Sequence, residues 1–302
     1  MSRGPEHEVR PILITGGGGA LARALSVCEW PATYKILAST RQALDICDIT
    51  QVHAAIAATS PAVIINTAAY TKVDLAESAA SSALGVNDRG CAVLGAAAAR
   101  LGVKLLHVST DFVFSGALGR PYLETDTPDP LNAYGRSKLR GEGHILASGR
   151  DAVVVRASWL LSGRAGFIPA IVERIQQGEA FQVVDDQLGT PTDIDDLAGA
   201  LRDIAVRMAG GGATQRIYHV AGTGEATWHE IAVAAAAAWS EHTGKEAPAI
   251  RPITSGDWGA PANRPLDSRL DSSAFLKDFG YSLPSWRLRL AKWVAAYERR
   301  RA

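Results

Sequence analysis

Pro11-Ile12-Leu13-Ile14-Thr15-Gly16-Gly17-Gly18-Gly19-Ala20 runs from an apolar segment into four consecutive glycines. The part before Gly16 reads as a short strand and Ala20 to Val27 as a helix. Strand, glycine turn and helix in this order make an entrance for phosphate. The glycines let the turn tighten and the backbone approach closely, while the helix N-terminus faces the negative charge. The spacing Gly16-x-x-Gly19-x-x-Ala22 puts alanine where the helix packs on the strand. A glycine cluster alone also describes a flexible turn; its place directly after the first strand favours a dinucleotide site.

Moving outward, Tyr34 to Ser39 reads as a second strand, ending at Thr40-Arg41 where a dinucleotide fold meets the adenosine ribose. An acid there favours a free 2′-hydroxyl, whereas arginine holds a 2′-phosphate, so Arg41 points to NADP(H). It reads equally as an exposed loop arginine, and Asp45 and Asp48 nearby keep NADH open. Ala62 to Tyr70 is a continuous apolar run, β-branched at its middle, as a strand buried on both faces requires. Asp74 to Ala79 and Val86 to Leu101 read as helices, Val103 to Val108 and Val153 to Trp159 as further strands. Such alternation from residue 11 to about 160 predicts an α/β fold with a Rossmann-like, doubly wound parallel sheet.

Past Leu160 the pattern loosens: a helix over Phe167 to Gln177, a strand over Phe181 to Val184, a loop from Asp185 to Thr192 and a sheet strand over Ile217 to Ala221. Helical stretches follow from Thr227 and again from Trp286 to Arg300. The expected division is a dinucleotide-binding domain over 1–160, with 192–222 returning to it, and a smaller α/β substrate domain over 161–191 and 223–302.

The 302 residues are 47% hydrophobic and 21% charged with zero formal net charge, enough for a full core and without an electrostatic case for nucleic acid or an acidic membrane. The basic run Arg299-Arg300-Arg301 reads as a solvated helix end. Cys28, Cys47 and Cys91 lack metal-ligand or disulfide spacing, which fits a reducing compartment. Met1 to Arg10 is polar and no apolar run has the length of a membrane span, so a cytoplasmic protein is expected.

The chemistry is expected between Leu105 and Lys138. An apolar run delivers Ser109, Thr110 and Asp111 at its end, and a helix opened by Pro130 and Asn132 presents Tyr134 and Lys138 one turn apart. A phenol of pKa about 10 exchanges its proton poorly at neutral pH, and a lysine charge beside it favours the phenolate. Together they make a workable general acid or base, although a tyrosine and lysine four apart also describe an ordinary solvated face.

Assembled, these residues resemble the dTDP-4-dehydrorhamnose reductase family of extended short-chain dehydrogenase/reductases over nearly the whole chain. The resemblance rests on Asn66 to Asp74 with Glu77-Ser78, on Ser109 to Gly116, and on Tyr134-Gly135-Arg136-Ser137-Lys138. It rests further on Arg156-x-Ser158-Trp159, Asp186-Gln187-x-Gly189-x-Pro191-Thr192 and Arg264-Pro265-x-x-Ser268-Arg269-Leu270-Asp271. It implies Thr110, Tyr134 and Lys138 as the catalytic group: Tyr134 gives the proton to the nascent alkoxide, Lys138 binds the nicotinamide ribose, and Thr110 bonds the reacting oxygen. It implies NADPH, or NADH, held by Gly16, Gly19, Ala20 and Leu21 at the pyrophosphate, Asp48 and Ile49 at the adenine edge, and Ala69, Tyr70 and Thr71 at a strand end. Asp111, Trp159, Gln187 and Arg264 are implied to meet the dTDP-sugar.

Plain alternatives stand beside these roles. Thr110 could cap the strand end, Trp159 could be core packing, and Gln187 and Arg264 could order the cap. Phe112 and Ser115 replace the family's usual tyrosine and aspartate without removing a catalytic group. Ala24 stands where some bacterial members carry an interface glutamate for magnesium, so no metal is expected there, and the chain is a monomer or homodimer. The same machinery serves other keto sugars of antibiotic or streptose-like pathways. A regulatory subunit of methionine adenosyltransferase also resembles the family, but a binding module has no need of a poised tyrosine and lysine. An epimerase retaining NAD would carry an acid at Arg41.

Overall fold

The computed structural model describes residues 9–212 and 214–299. Of the basic run at the C-terminus, Arg300 and Arg301 therefore lie outside the described residues, as does the polar start before Val9. Six strands form one parallel sheet: β1 (Arg10–Thr15), β2 (Tyr34–Ser39), β3 (Val63–Asn66), β4 (Lys104–Thr110), β5 (Ala152–Ala157) and β6 (Ile217–His219). Their order is β6-β5-β4-β3-β1-β2. The order reverses between β1 and β3, and the crevice beyond the carboxyl ends at such a switch point is where these sheets take ligands.

The strands are apolar throughout because both faces are covered. Ile12, Ile14, Val63, Ile65, Leu106, Val153 and Val155 turn to one side, against the Ala20–Val27 and Ile194–Ala209 helices. Leu13, Ile64, Leu105 and Val154 turn to the other, against Val52, Ile56, Leu94 and Ile145 of three further helices. Val63, Ile64 and Ile65 are each 0% exposed. Burying one such side chain contributes about 1.5–3 kcal/mol, so a polar residue in mid-strand would be costly.

A second cluster forms the other lobe. Phe181 and Val183 lie among the Phe167–Gln177, Trp228–Thr243 and Leu290–Glu298 helices, with Trp239, Trp286 and Trp293 between them. Thr227 opens the second of these helices with a capping box closed by Glu230. Among the described residues no helix is long and apolar enough to cross a membrane.

Two expectations are corrected. The strand expected over Ala62 to Tyr70 is regular only over Val63–Asn66; the small residues after it leave the sheet and follow the cleft edge. The helix expected over Val86 to Leu101 begins as a π-helical turn, Gly85–Gly90, and becomes α-helical at Cys91. Crowding accompanies the wide turn: a side-chain carbon at Gly90 would stand 2.9 Å from Ile46, and one at Gly141 on the facing helix 2.2 Å from the Asn87 carbonyl.

Candidate active site

A cleft of about 580 Å³ opens at the switch point. Its floor is the glycine turn. Gly16 has φ +73°, and a side chain there would stand 2.8 Å from Ala68; one at Gly17 would stand 2.9 Å from Ser39. Gly18 has open space above it, and the Ala20–Val27 helix starts immediately after Gly19. Backbone held this close to a helix N-terminus fits a pyrophosphate.

Gly16, Gly19, Ala20, Leu21, Arg41, Ala69, Tyr70 and Thr71 all line the cleft. Asp48 and Ile49, expected at the adenine edge, do not line it. The Asp-Ile dipeptide occurs twice between residues 45 and 49, and it is Asp45-Ile46, with Leu44, that lines the cleft. The Asp48 carboxylate instead caps the Ile49–Thr59 helix, accepting from Thr50 N and Gln51 N at 2.9 and 3.2 Å, and Ile49 is turned to solvent. The opposite wall comprises Leu160, Ser162, Ala165 and Gly166, from the loop leaving β5, which the sequence pattern did not single out.

Thr110 ends β4 and caps a 3₁₀ turn over Asp111–Val113. Its hydroxyl donates to Asp111 Oδ1 at 3.0 Å and accepts from Phe112 N at 3.2 Å. Asn132 caps the Ala133–Ala147 helix that carries Tyr134 and Lys138, accepting from Gly135 N at 2.7 Å. Gly135 lets that helix meet the 3₁₀ turn, since a side-chain carbon there would stand 2.2 Å from the Phe112 carbonyl oxygen. Thr110 and Tyr134 are thus brought near one another; neither they nor Lys138 lines the cleft itself, to which their helix is joined through Ser137, Asn87 and Tyr70.

Lys138 does not do what its spacing promised. Its Nζ donates to the Val108 carbonyl at 2.7 Å and lies 3.2 Å from His107 Nε2. Burial pushes the Tyr134 phenol up to about 12, the Asp111 carboxylate adds to the rise, and the Thr110 bond only partly opposes it. Lys138 is not among the groups that shift the phenol, which burial holds in its protonated form. Burial likewise draws the Lys138 ammonium downward.

Asp111 is buried, bonded by the hydroxyls of Thr110 and Ser158 at 3.0 Å each, and raised to about 6 chiefly by desolvation. Trp159, at φ +41°, stacks on Trp228 with ring centroids 3.8 Å apart. A side-chain carbon at Gly189 would stand 2.3 Å from its Cε2, so its faces are occupied by protein and the ring packs as core. Gln187 donates to Ser255 Oγ at 2.8 Å and accepts from Trp228 Nε1 at 3.1 Å. Arg264 makes a two-pronged bond to Asp74 at 2.9 and 2.8 Å, tying the C-terminal segment to the helix after β3.

One residue that sequence reading passed over is central. Asn87, aimed by the π turn, accepts from Tyr70 N at 2.8 Å and donates to Tyr70 O at 3.0 Å and Ser137 Oγ at 2.9 Å. It joins the cleft wall to the tyrosine-bearing helix. A π turn at such a point is itself a signal of function, but only in coordinates.

Comparison with known proteins agrees with this geometry. The family described as RmlD substrate binding domain matches residues 10–299. A dTDP-4-dehydrorhamnose reductase of Sinorhizobium fredii is 37% identical over 91% of this chain and 93% of its own length. One of Mycobacterium tuberculosis is 38% identical, covering 94% and 92%. The crystal structure of a Bacillus anthracis dTDP-4-dehydrorhamnose reductase in complex with NADP superposes with a TM-score of 0.86 at 30% identity, covering 95% of this chain and 99% of that one.

Proposed function

Because the chain belongs to the dTDP-4-dehydrorhamnose reductase family, we propose that it reduces the C4 keto group of dTDP-4-dehydro-β-L-rhamnose to dTDP-β-L-rhamnose with NADPH. The observation that carries the reading is Tyr134 on a helix packed against the turn that follows Thr110, and joined through Ser137 and Asn87 to the Tyr70 wall of a glycine-floored cleft of dinucleotide size.

The dinucleotide, when bound, supplies the hydride. Gly16 to Leu21 hold its pyrophosphate by backbone N–H groups, Asp45 and Ile46 border the adenosine, and Arg41 meets the 2′-phosphate. Ala69, Tyr70 and Thr71 shape the wall toward the nicotinamide end, with Asn87 fixing Tyr70. Lys138 holds the ribose hydroxyls on that side.

The Thr110 hydroxyl turns from Asp111 to the keto oxygen and polarises it. Tyr134 then gives its phenolic proton to the alkoxide as charge develops there. A phenol whose proton is held to about pH 12 suits this direction of reaction. Its acidity rises as the Lys138 charge is drawn toward it by the bound ligands. Asp111 borders the sugar, while Trp159, Gln187 and Arg264 act on the pocket's shape through Trp228, Ser255 and Asp74.

The test is loss of NADPH absorbance when purified protein meets dTDP-4-dehydro-β-L-rhamnose made in situ, with Tyr134→Phe as control. Turnover that the variant loses supports the reductase and its acid together. Saturable NADPH binding without turnover of this or related dTDP-4-keto sugars would overturn it.

A further inference from the structure

A dinucleotide's pyrophosphate brings negative charge on both of its phosphates to a glycine turn with few donors left. Gly17 N donates to Ser39 O and Gly19 N to Gly16 O, each at 2.8 Å, so the anion is left chiefly to the N–H groups of Gly18, Ala20 and Leu21. No side chain caps the Ala20–Val27 helix. Of the side chains that line the cleft, the charged ones are Arg41 and Asp45, and they pair with each other at the adenosine end.

A cation stands beside the turn. Arg23, one turn into the same helix, leans back toward the helix N-terminus, as helical side chains do, and its Nη1 donates to the Gly18 carbonyl at 2.6 Å. Arg23 lines not the cleft but an adjoining cavity of about 440 Å³. Ala20, Ser162, Ala165 and Ile194 line both, so a partition of small or apolar side chains is all that separates the two spaces. Arg41 and Arg164 are each matched by a carboxylate, Asp45 and Asp195, whereas among the described residues no carboxylate pairs with Arg23. Its bond to a neutral carbonyl leaves the charge uncompensated and other N–H groups of the fork open to a second acceptor.

We propose that Arg23 is a further cofactor-binding residue: it clamps the dinucleotide pyrophosphate from the helix side and supplies the positive charge that the glycine turn lacks. The inference rests on the dinucleotide reading given above and adds to it the side chain that neutralises the phosphates. Arginine suits the place, since its fork keeps the Gly18 carbonyl with one N–H and gives another to a phosphate oxygen, fixing loop and ligand together. Two arginines then divide the work. Arg41 meets the 2′-phosphate and so separates NADPH from NADH; Arg23 acts on the part that the two cofactors share.

The test is fluorescence titration of the full chain with NADPH and NADH, together with displacement of NADPH by adenosine 2′-monophosphate, which has the 2′-phosphate but no pyrophosphate. Arg23 is exposed, so its replacement leaves the fold intact. Arg23→Gln should raise the dissociation constants of NADPH and NADH by the same factor, about tenfold, the scale of one charge-assisted hydrogen bond, and leave that of adenosine 2′-monophosphate unchanged. Arg23→Lys, which keeps the charge and loses the fork, should recover part of the loss. Between about 0.01 and 0.1 M salt the wild-type constant for NADPH should also rise more steeply than that of Arg23→Gln, as screening takes hold. Unchanged binding of both dinucleotides by Arg23→Gln overturns the proposal. So does a loss confined to NADPH, which would place Arg23 at the 2′-phosphate, or an equal loss for adenosine 2′-monophosphate, which would mark a general disturbance of the cleft. Wild-type protein that binds neither dinucleotide overturns the cofactor reading itself, whereas normal wild-type binding with an unaltered variant removes only the role of Arg23.

Discussion

Arg41 Nε stands 3.3 Å from Asp45 Oδ2 at the rim of the cleft, with the arginine side chain 78% exposed. A pair so exposed contributes about 0–1 kcal/mol, so the guanidinium is free to exchange the carboxylate for a 2′-phosphate. Asp45 is held ionised, its carboxyl lowered by bonds to Cys47 and Arg41, and it repels that phosphate. Arg41→Ala should raise the KM for NADPH about tenfold while leaving that for NADH nearly unchanged, the scale of a charge-assisted bond. Asp45→Asn should shift the ratio the other way. Steady-state KM values with both cofactors check this, and equal losses with NADPH and NADH for Arg41→Ala would remove the 2′-phosphate contact.

Tyr134 carries its proton across the whole neutral range, because burial and the nearby Asp111 hold the phenol up at about 12. Tyr134→Phe should therefore cost about 10²–10⁴-fold in kcat, the usual share of a positioned acid, with little change in NADPH affinity. Single-turnover rates beside fluorescence titration separate the two. A variant with near-normal turnover would mean that another group, or water, supplies the proton.

The fold was legible because its central strands have no solvent face. Val63-Ile64-Ile65 and Val153-Val154-Val155 are unbroken apolar runs, which only a sheet covered on both sides explains, and the glycine turn after β1 gave its polarity. Thr110 and Tyr134 were each placed by a short local signal, a strand end and a helix cap, whereas their grouping came from the family resemblance. What stayed hidden was tertiary. The Asp-Ile repeat offered two registers, and only the cap at Asp48 tells them apart. The π turn differs from an α-helix by one residue of spacing, which no residue type announces, so Asn87 carried no signal. His107 sat inside a strand that read as core, and Trp159 read equally as core packing or as a sugar contact, a choice that depends on Trp228 and Gly189 lying against its ring.

Asp111 imposes a stability cost that depends on pH. Its carboxyl lies at about 6 in the folded chain against 3.8 as the ordinary value, chiefly because it is desolvated. Between those values the folded state holds a proton that the unfolded state releases, so this group's contribution falls as pH rises through the window and stays low above it. The cost at neutral pH is on the order of 3 kcal/mol. Asp111→Asn keeps the shape, accepting from one of these hydroxyls and donating to the other, and removes the desolvated charge, so it should be more stable than wild type at about pH 7, with the gap closing near pH 4. Urea unfolding at both values measures it, and a gap that does not change with pH would show that the carboxylate ionises freely in the fold.

Asn87 uses its whole amide: Oδ1 on Tyr70 N, Nδ2 on Tyr70 O and Ser137 Oγ. Replacing it with alanine leaves a backbone N–H and C=O of the cleft wall to find other partners, and each buried group left unsatisfied costs about 1–3 kcal/mol. Because Tyr70 lies on the dinucleotide side and Ser137 one residue from Lys138, the loss should fall on cofactor binding more than on the chemical step. Asn87→Ala is expected to raise the NADPH dissociation constant about tenfold and to lower the midpoint of thermal unfolding by a few degrees, with single-turnover rates at saturating NADPH reduced far less than in Tyr134→Phe. Calorimetry and fluorescence titration on one preparation test both halves. A variant that binds NADPH normally yet loses single-turnover rate as Tyr134→Phe does would move Asn87 from the wall of the cleft to the chemistry itself.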